Sequence, residues 1–130
     1  MRILIEVTVK EIVDSVNVVK QMMNMSMKSK VAYQVARLAR ELENELKTFE
    51  NERMRLIQKY GEKDEDGNLK TDENGQYTIP KDSIKEFGDE SDGLLETKVE
   101  LNVNKIKLED LDCELNPGQI LRIMPFVEED

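Results

Sequence analysis

The stretch that decides the fold is Lys30-Val31-Ala32-Tyr33-Gln34-Val35-Ala36-Arg37-Leu38-Ala39-Arg40-Glu41-Leu42-Glu43-Asn44-Glu45-Leu46-Lys47-Thr48-Phe49-Glu50-Asn51-Glu52-Arg53-Met54-Arg55-Leu56-Ile57-Gln58-Lys59-Tyr60. Its apolar side chains at Val31, Val35, Leu38, Leu42, Leu46, Phe49, Leu56 and Tyr60 recur at helical spacing, with no Gly or Pro between them and many good helix formers. One amphipathic helix is therefore expected, a rod of roughly 45 Å at about 1.5 Å per residue. A chain of 130 residues needs no such length for one globule, so the rod either packs against shorter helices of its own chain or projects toward a partner. The step from Leu42 to Leu46 breaks a strict heptad and Arg53 falls on the seam, which argues against a regular two-stranded coiled coil.

Upstream, Ser29 is placed to cap this helix. Residues 22–29 hold four of the seven methionines and read as a connection. Before it, Val9, Ile12, Val13, Val16, Val19 and Met23 mark one face of a helix from about Val9 to about Met23. Thr8-Val9-Lys10-Glu11 has the form of a capping box, in which hydroxyl and carboxylate satisfy backbone donors that a helix start leaves open. Ile3, Ile5 and Val7 alternate with Leu4, Glu6 and Thr8, the period of a half-buried strand.

Downstream, Gly61 is expected to end the long helix in a left-handed cap. Asp64-Glu65-Asp66-Gly67-Asn68-Leu69-Lys70 is then echoed eight residues later by Asp72-Glu73-Asn74-Gly75-Gln76-Tyr77-Thr78. Asp-Gly and Asn-Gly are strong turn signals, and Leu69, Tyr77 and Ile79 give short strands one apolar face, so an acidic β-hairpin is expected near 62–80. Pro80 closes it. Asp82 or Ser83 caps a further helix carrying Ile84, Phe87, Leu94 and Leu95, which Gly88 and Gly93 weaken. Val99, Leu101 and Val103 alternate with polar residues as a second strand near 99–104, expected to pair with the first. Leu108 and Leu111 follow, then Asn116-Pro117 in cap-and-first-turn order before a short helix with Ile120, Leu121 and Met124. The expected fold is α+β over one domain, 1–130: a long amphipathic helix packed with shorter helices, a small antiparallel sheet and an acidic hairpin.

Composition narrows the chemistry. Apolar residues make up 38% of the chain, aromatic residues 5%, and Trp is absent, so the core is built from aliphatic and Met side chains. Histidine is absent as well, which removes the residue most used for acid and base work near neutral pH and every Ser-His or Cys-His nucleophile. Carboxylate-pair and lysine mechanisms need a desolvated pocket, whereas the acids here sit in polar stretches. No GxGxxG or GxxxxGK[ST] pattern occurs. A single cysteine, Cys113, has no Cys or His partner for a disulfide or zinc and reads as a partly buried small hydrophobe. No catalytic, cofactor-binding or metal-ligating residue is assigned, and the chain is expected not to be an enzyme. No apolar run reaches the roughly 18 residues a membrane span needs, and Arg2-Ile3-Leu4-Ile5 passes at once to Glu6, so neither a membrane span nor a signal peptide is expected.

The segment from Glu62 to Glu73 matches part of a calcium-binding EF-hand loop, with Asp64, Asp66, Gly67, Leu69 and Glu73 at the expected offsets. It departs from that loop in having Glu62 at the first position and a strand-like run after Glu73 where a helix is required. An acidic turn explains the same residues, because Asp, Asn and Gly are turn formers. Residues 1–60 hold 11 basic and 8 acidic side chains, residues 61–100 hold 5 and 13, and residues 101–130 hold 3 and 7. The acid thus lies in the second half, as a solubilising surface or as one that presents carboxylates to a basic groove. Direct nucleic-acid binding is not expected without a basic stripe.

At Tyr60-Gly61-Glu62-Lys63-Asp64-Glu65-Asp66-Gly67 and Asp72-Glu73-Asn74-Gly75 the chain resembles a family of short, uncharacterised proteins of tailed phages and prophages of Gram-positive bacteria. Lys107 to Leu111 and the Pro-containing segment Asn116 to Phe126 resemble it as well, and the likeness covers nearly the whole chain. Gly88 and Gly93 depart from the smoother third helix of that pattern. The resemblance implies a phage or prophage accessory protein that acts by protein–protein contact in the host cell cytoplasm or the virion. Its partner would be a phage structural protein, a host protein or a second copy. Two subclasses follow: a virion or tail-assembly component, and an inhibitor of a host defence protein that uses the acidic half as a nucleic-acid mimic. A calcium-binding module is the remaining alternative.

Overall fold

The computed structural model describes residues 4–129, so Ile3 of the expected first strand lies outside the described residues. In chain order these residues form β1 (Ile5–Thr8), α1 (Val9–Met22), α2 (Ser29–Tyr60), α3 (Ile84–Glu96), β2 (Lys98–Leu101), β3 (Ile106–Lys107), α4 (Pro117–Ile123) and β4 (Val127–Glu128). Single 3-10 turns occupy Lys81–Ser83, Leu108–Asp110 and Met124–Phe126. The fold is mixed α+β and mostly helical, and α2 alone contributes 32 residues. Contacts divide the chain into two compact units, one made of residues up to Leu46 with those from Thr97 on, the other of Lys47–Glu96. Helix α2 supplies part of each.

In the first unit, β1 pairs antiparallel with β2, Ile5 opposite Leu101 and Val7 opposite Val99, which is the pairing expected from the two alternating stretches. Thr8 ends the strand and caps α1. Its Oγ1 accepts the Glu11 N–H at 3.2 Å, and Glu11 Oε1 accepts the Thr8 N–H at 2.9 Å. The Val9 N–H donates to the Thr97 carbonyl at 2.9 Å, fixing the start of α1 beside the start of β2. Ile12, Val16, Val19 and Met22 of α1 share one core with Val31, Val35, Leu38, Ala39 and Leu42 of α2 and with Leu101 and Val103. Cys113 lies half-buried against it. Helix α4 carries the expected cap: Asn116 Oδ1 accepts the Gln119 N–H at 2.8 Å while Gln119 Oε1 accepts the Asn116 N–H at 2.9 Å.

Several local expectations are corrected. Ser29 is the first residue of α2 and not its cap; the first-turn bond runs from the Ala32 N–H to the Lys28 carbonyl. Neither Asp82 nor Ser83 caps α3, because both belong to the 3-10 turn whose Ser83 N–H bonds the Pro80 carbonyl. Gly88 and Gly93 do not interrupt α3. In the last helix the deeply buried side chains are Ile123 and, just beyond, Phe126, whereas Leu121 is 73% exposed. Phe126 and Val127 are held there by a two-residue parallel pairing of β4 with β3, Ile106 opposite Val127, which short-range pattern did not foretell.

The second unit has a thinner core. Among its described residues only Ile57 is fully buried, one position from the seam residue Leu56. Tyr60 meets Phe87 edge to face with ring centroids 6.3 Å apart. Gly61 does not take a left-handed cap, since the positive-φ glycines are Gly67 and Gly75. It is needed instead for close approach: a Cβ there would run into the Ile57 carbonyl oxygen and lie 2.7 Å from Leu69 Cδ2.

Candidate functional site

The acidic segment of the second unit is a structural repeat as well as a sequence one. Asp64 Oδ1 accepts the N–H groups of Asp66 at 2.9 Å and Asn68 at 3.0 Å. Eight residues on, Asp72 Oδ1 accepts those of Asn74 at 2.8 Å and Gln76 at 3.0 Å. The Asp64 and Asp72 carbonyls accept the Gly67 and Gly75 N–H groups, each at 3.0 Å. Both glycines lie in the left-handed region, φ 83° and 79°, where a Cβ costs energy. Isolated antiparallel bridges, Lys63 with Leu69 and Thr71 with Tyr77, close the two loops. The hairpin expected near 62–80 therefore takes the form of two tandem loops.

Three positions eight residues apart tie these loops together. The Lys70 N–H donates to the Glu62 carbonyl at 2.8 Å, the Thr78 N–H to the Lys70 carbonyl at 3.2 Å, and the Glu62 N–H to the Thr78 carbonyl at 2.9 Å, so the bonds run round a closed ring. Side chains at the same positions meet too. Thr78 Oγ1 donates to Glu62 Oε2 at 3.3 Å, and Lys70 Nζ lies 3.6 Å from Glu62 Oε1. The ring leaves Glu65, Asp66 and Glu73 exposed on the loops, making none of the side-chain bonds that shape them.

This geometry places each residue of the calcium-loop pattern. Glu62 is engaged by Lys70 and Thr78, Asp64 binds peptide N–H groups, and Glu73 belongs to the second loop. Among the described residues no group of three or more His, Cys, Asp or Glu is arranged to hold a metal ion. Beside the loops, Arg53, Ile57, Tyr77, Ile79 and Phe87 line a concavity of about 360 Å³ that no acidic side chain lines. At the end of α2, hydrogen bonding to Glu90, then desolvation, raises the Tyr60 pKa above its ordinary 10.0, and Lys59, 3.6 Å from Glu90, is raised by Tyr60 and Glu90 together.

The first unit carries a surface of opposite character. Lys30, Tyr33, Gln34 and Arg37 of α2 face Val103 and Asn104 across a groove of about 490 Å³. Arg37 Nη2 donates to the Asn102 carbonyl at 3.1 Å, which holds the guanidinium beside the strand end. A second groove, lined by Lys30, Gln34, Asn104, Lys105 and Lys107 with Asp110 and Glu128, shares three residues with the first. Sequence reading did not find this surface, because its cations come from positions 30 to 37 and 105 to 107 and meet only through the fold. Among the described residues no helix is long and apolar enough to cross a membrane.

Taken together these features define a small α+β protein with an acidic double loop on one unit and a basic groove on the other. Comparison with protein-family models, curated proteins and solved structures returns no match.

Proposed function

We propose that the chain is a non-catalytic accessory protein of a tailed phage or prophage that works by protein–protein contact, with the acidic double loop as a contact surface. The observation that carries this reading is the ring through Glu62, Lys70 and Thr78. Holding an exposed segment in one conformation costs about 1–2 kcal/mol of backbone entropy per residue, which a net hydrogen bond of about 1 kcal/mol only partly offsets. A surface ordered in advance avoids that cost at the moment of binding. Glu65, Asp66 and Glu73 stay exposed on this frame and take no part in the side-chain bonds that hold it, which supports a role for them outside the chain. The complementary partner surface is a basic cleft, toward which ordered carboxylates steer association.

Asp64 and Asp72 shape the loops, so reversing them would disturb structure and binding alike. The triple change Glu65→Lys, Asp66→Lys and Glu73→Lys tests the contact alone. Tagged protein expressed in the natural host is expected to retain a phage structural protein or a host protein, and the triple variant to lose it by at least about tenfold. Retention of the same partner at equal strength by a folded triple variant would remove the loops from the contact. Recovery of virion proteins would favour the assembly role, and recovery of one protein from uninfected host the role of inhibitor.

A further inference from the structure

We infer that the basic groove of the first unit receives the acidic double loop of a second copy of this chain, in head-to-tail association. The inference rests on the reading of the double loop as a contact surface and names its partner. The basic surface spans two adjoining grooves that share Lys30, Gln34 and Asn104; Arg37 lines the first, and Lys105 and Lys107 line the second beside Asp110 and Glu128, so cations outnumber acids four to two. Acidic residues outnumber basic ones in this chain, 28 to 19, yet Lys30, Lys105 and Lys107 form no ion pair with any described residue. Tyr33, 67% exposed at the groove wall, supplies apolar contact area of the kind enriched at interfaces.

The double loop of a second copy brings carboxylates beyond the two that line the second groove: Glu65, Asp66 and Glu73 face Lys30, Lys105 and Lys107. Elsewhere the surface is net negative and repels such a loop, whereas in physiological salt, with a screening length of about 8 Å, repulsion between whole bodies fades faster than attraction at the contact. Loop and groove are different patches, so the contact is heterologous and each copy keeps one unused half, which extends the assembly until it closes or is capped.

Two charge-reversed variants test this. One carries Lys30→Glu, Lys105→Glu and Lys107→Glu; the other carries Glu65→Lys, Asp66→Lys and Glu73→Lys. Light scattering on gel-filtered protein is expected to show concentration-dependent oligomers of the wild type that dissociate at high salt. Each variant alone should be weakened by about tenfold or more, while their equimolar mixture should associate again, because the intact loop of one meets the intact groove of the other and the two reversed patches carry opposite charge. Circular dichroism checks each fold, and Gln in place of the reversed residues serves if a variant misfolds. A wild type that stays monomeric at its highest soluble concentration, oligomers that survive both reversals, or a mixture that fails to pair would each overturn the inference. Loss of self-association with loop-dependent capture of another protein intact would overturn it while leaving the contact role standing.

Discussion

Single residues in this chain act through backbone geometry more often than through chemistry. Gly61 and Gly88 make opposite predictions under the same substitution. Gly61→Ala would push a methyl group onto the Ile57 carbonyl and Leu69 and should destabilise the second unit by at least about 1–3 kcal/mol. Gly88→Ala adds a Cβ with no heavy atom within 4 Å in the middle of α3 and should stabilise by about 0.5–1 kcal/mol. Urea denaturation of both variants checks the two signs. Tyr60 gives a pH prediction. Its pKa is raised in the folded state, so its contribution to stability is complete below the ordinary value of 10.0 and is lost as pH climbs through the raised value. Ultraviolet titration of the wild type against Tyr60→Phe should place the Tyr60 transition above 10.0, and Glu90→Gln should lower it.

At the scale of elements, what was legible in the sequence is what is local. The capping box at Thr8 and the helix start at Asn116-Pro117 lie within four residues of chain and form as expected, and at Asn116 the Gln119 side chain completes a second box that the cap-and-proline order alone does not specify. Thr8→Ala should cost about 1 kcal/mol in a thermal or urea melt. The long helix was legible from its apolar period, and the pairing of β1 with β2 from two alternating stretches. The left-handed cap at Gly61 was misread because the glycine is required by a neighbour, Leu69, that the helix pattern does not include. The pairing of β3 with β4, which buries Phe126 and Val127, was missed because two residues carry no period. The eight-residue echo was visible in the sequence, but its closure between Glu62 and Thr78 is a long-range bond. The basic groove was invisible for the same reason: its lysines are more than seventy residues apart.

The whole molecule is unevenly consolidated. The first unit encloses a continuous core in which Leu42 is 0% exposed, and Leu42→Ala should cost about 2–5 kcal/mol. In the second unit Ile57 is the fully buried hydrophobic among the described residues, with the rings of Tyr60 and Phe87 beside it. Backbone amides of Lys47–Glu96 should therefore exchange with solvent faster than those of α1 and of α2 before Leu46. Hydrogen exchange read by mass spectrometry checks this, and equal protection in the two units would contradict it.

The ring through Glu62, Lys70 and Thr78 also bears on how the segment can change over generations. Three positions close on one another, so a further eight-residue copy has no place in the circuit, and a deletion of one copy opens it. The number of repeats is thereby frozen. The outward residues Glu65, Asp66 and Glu73 are under no such constraint, and each can be replaced singly without disturbing the bonds that hold the loops. Descendants of this sequence can alter what the loops recognise by point substitution while the frame that displays them stays the same length.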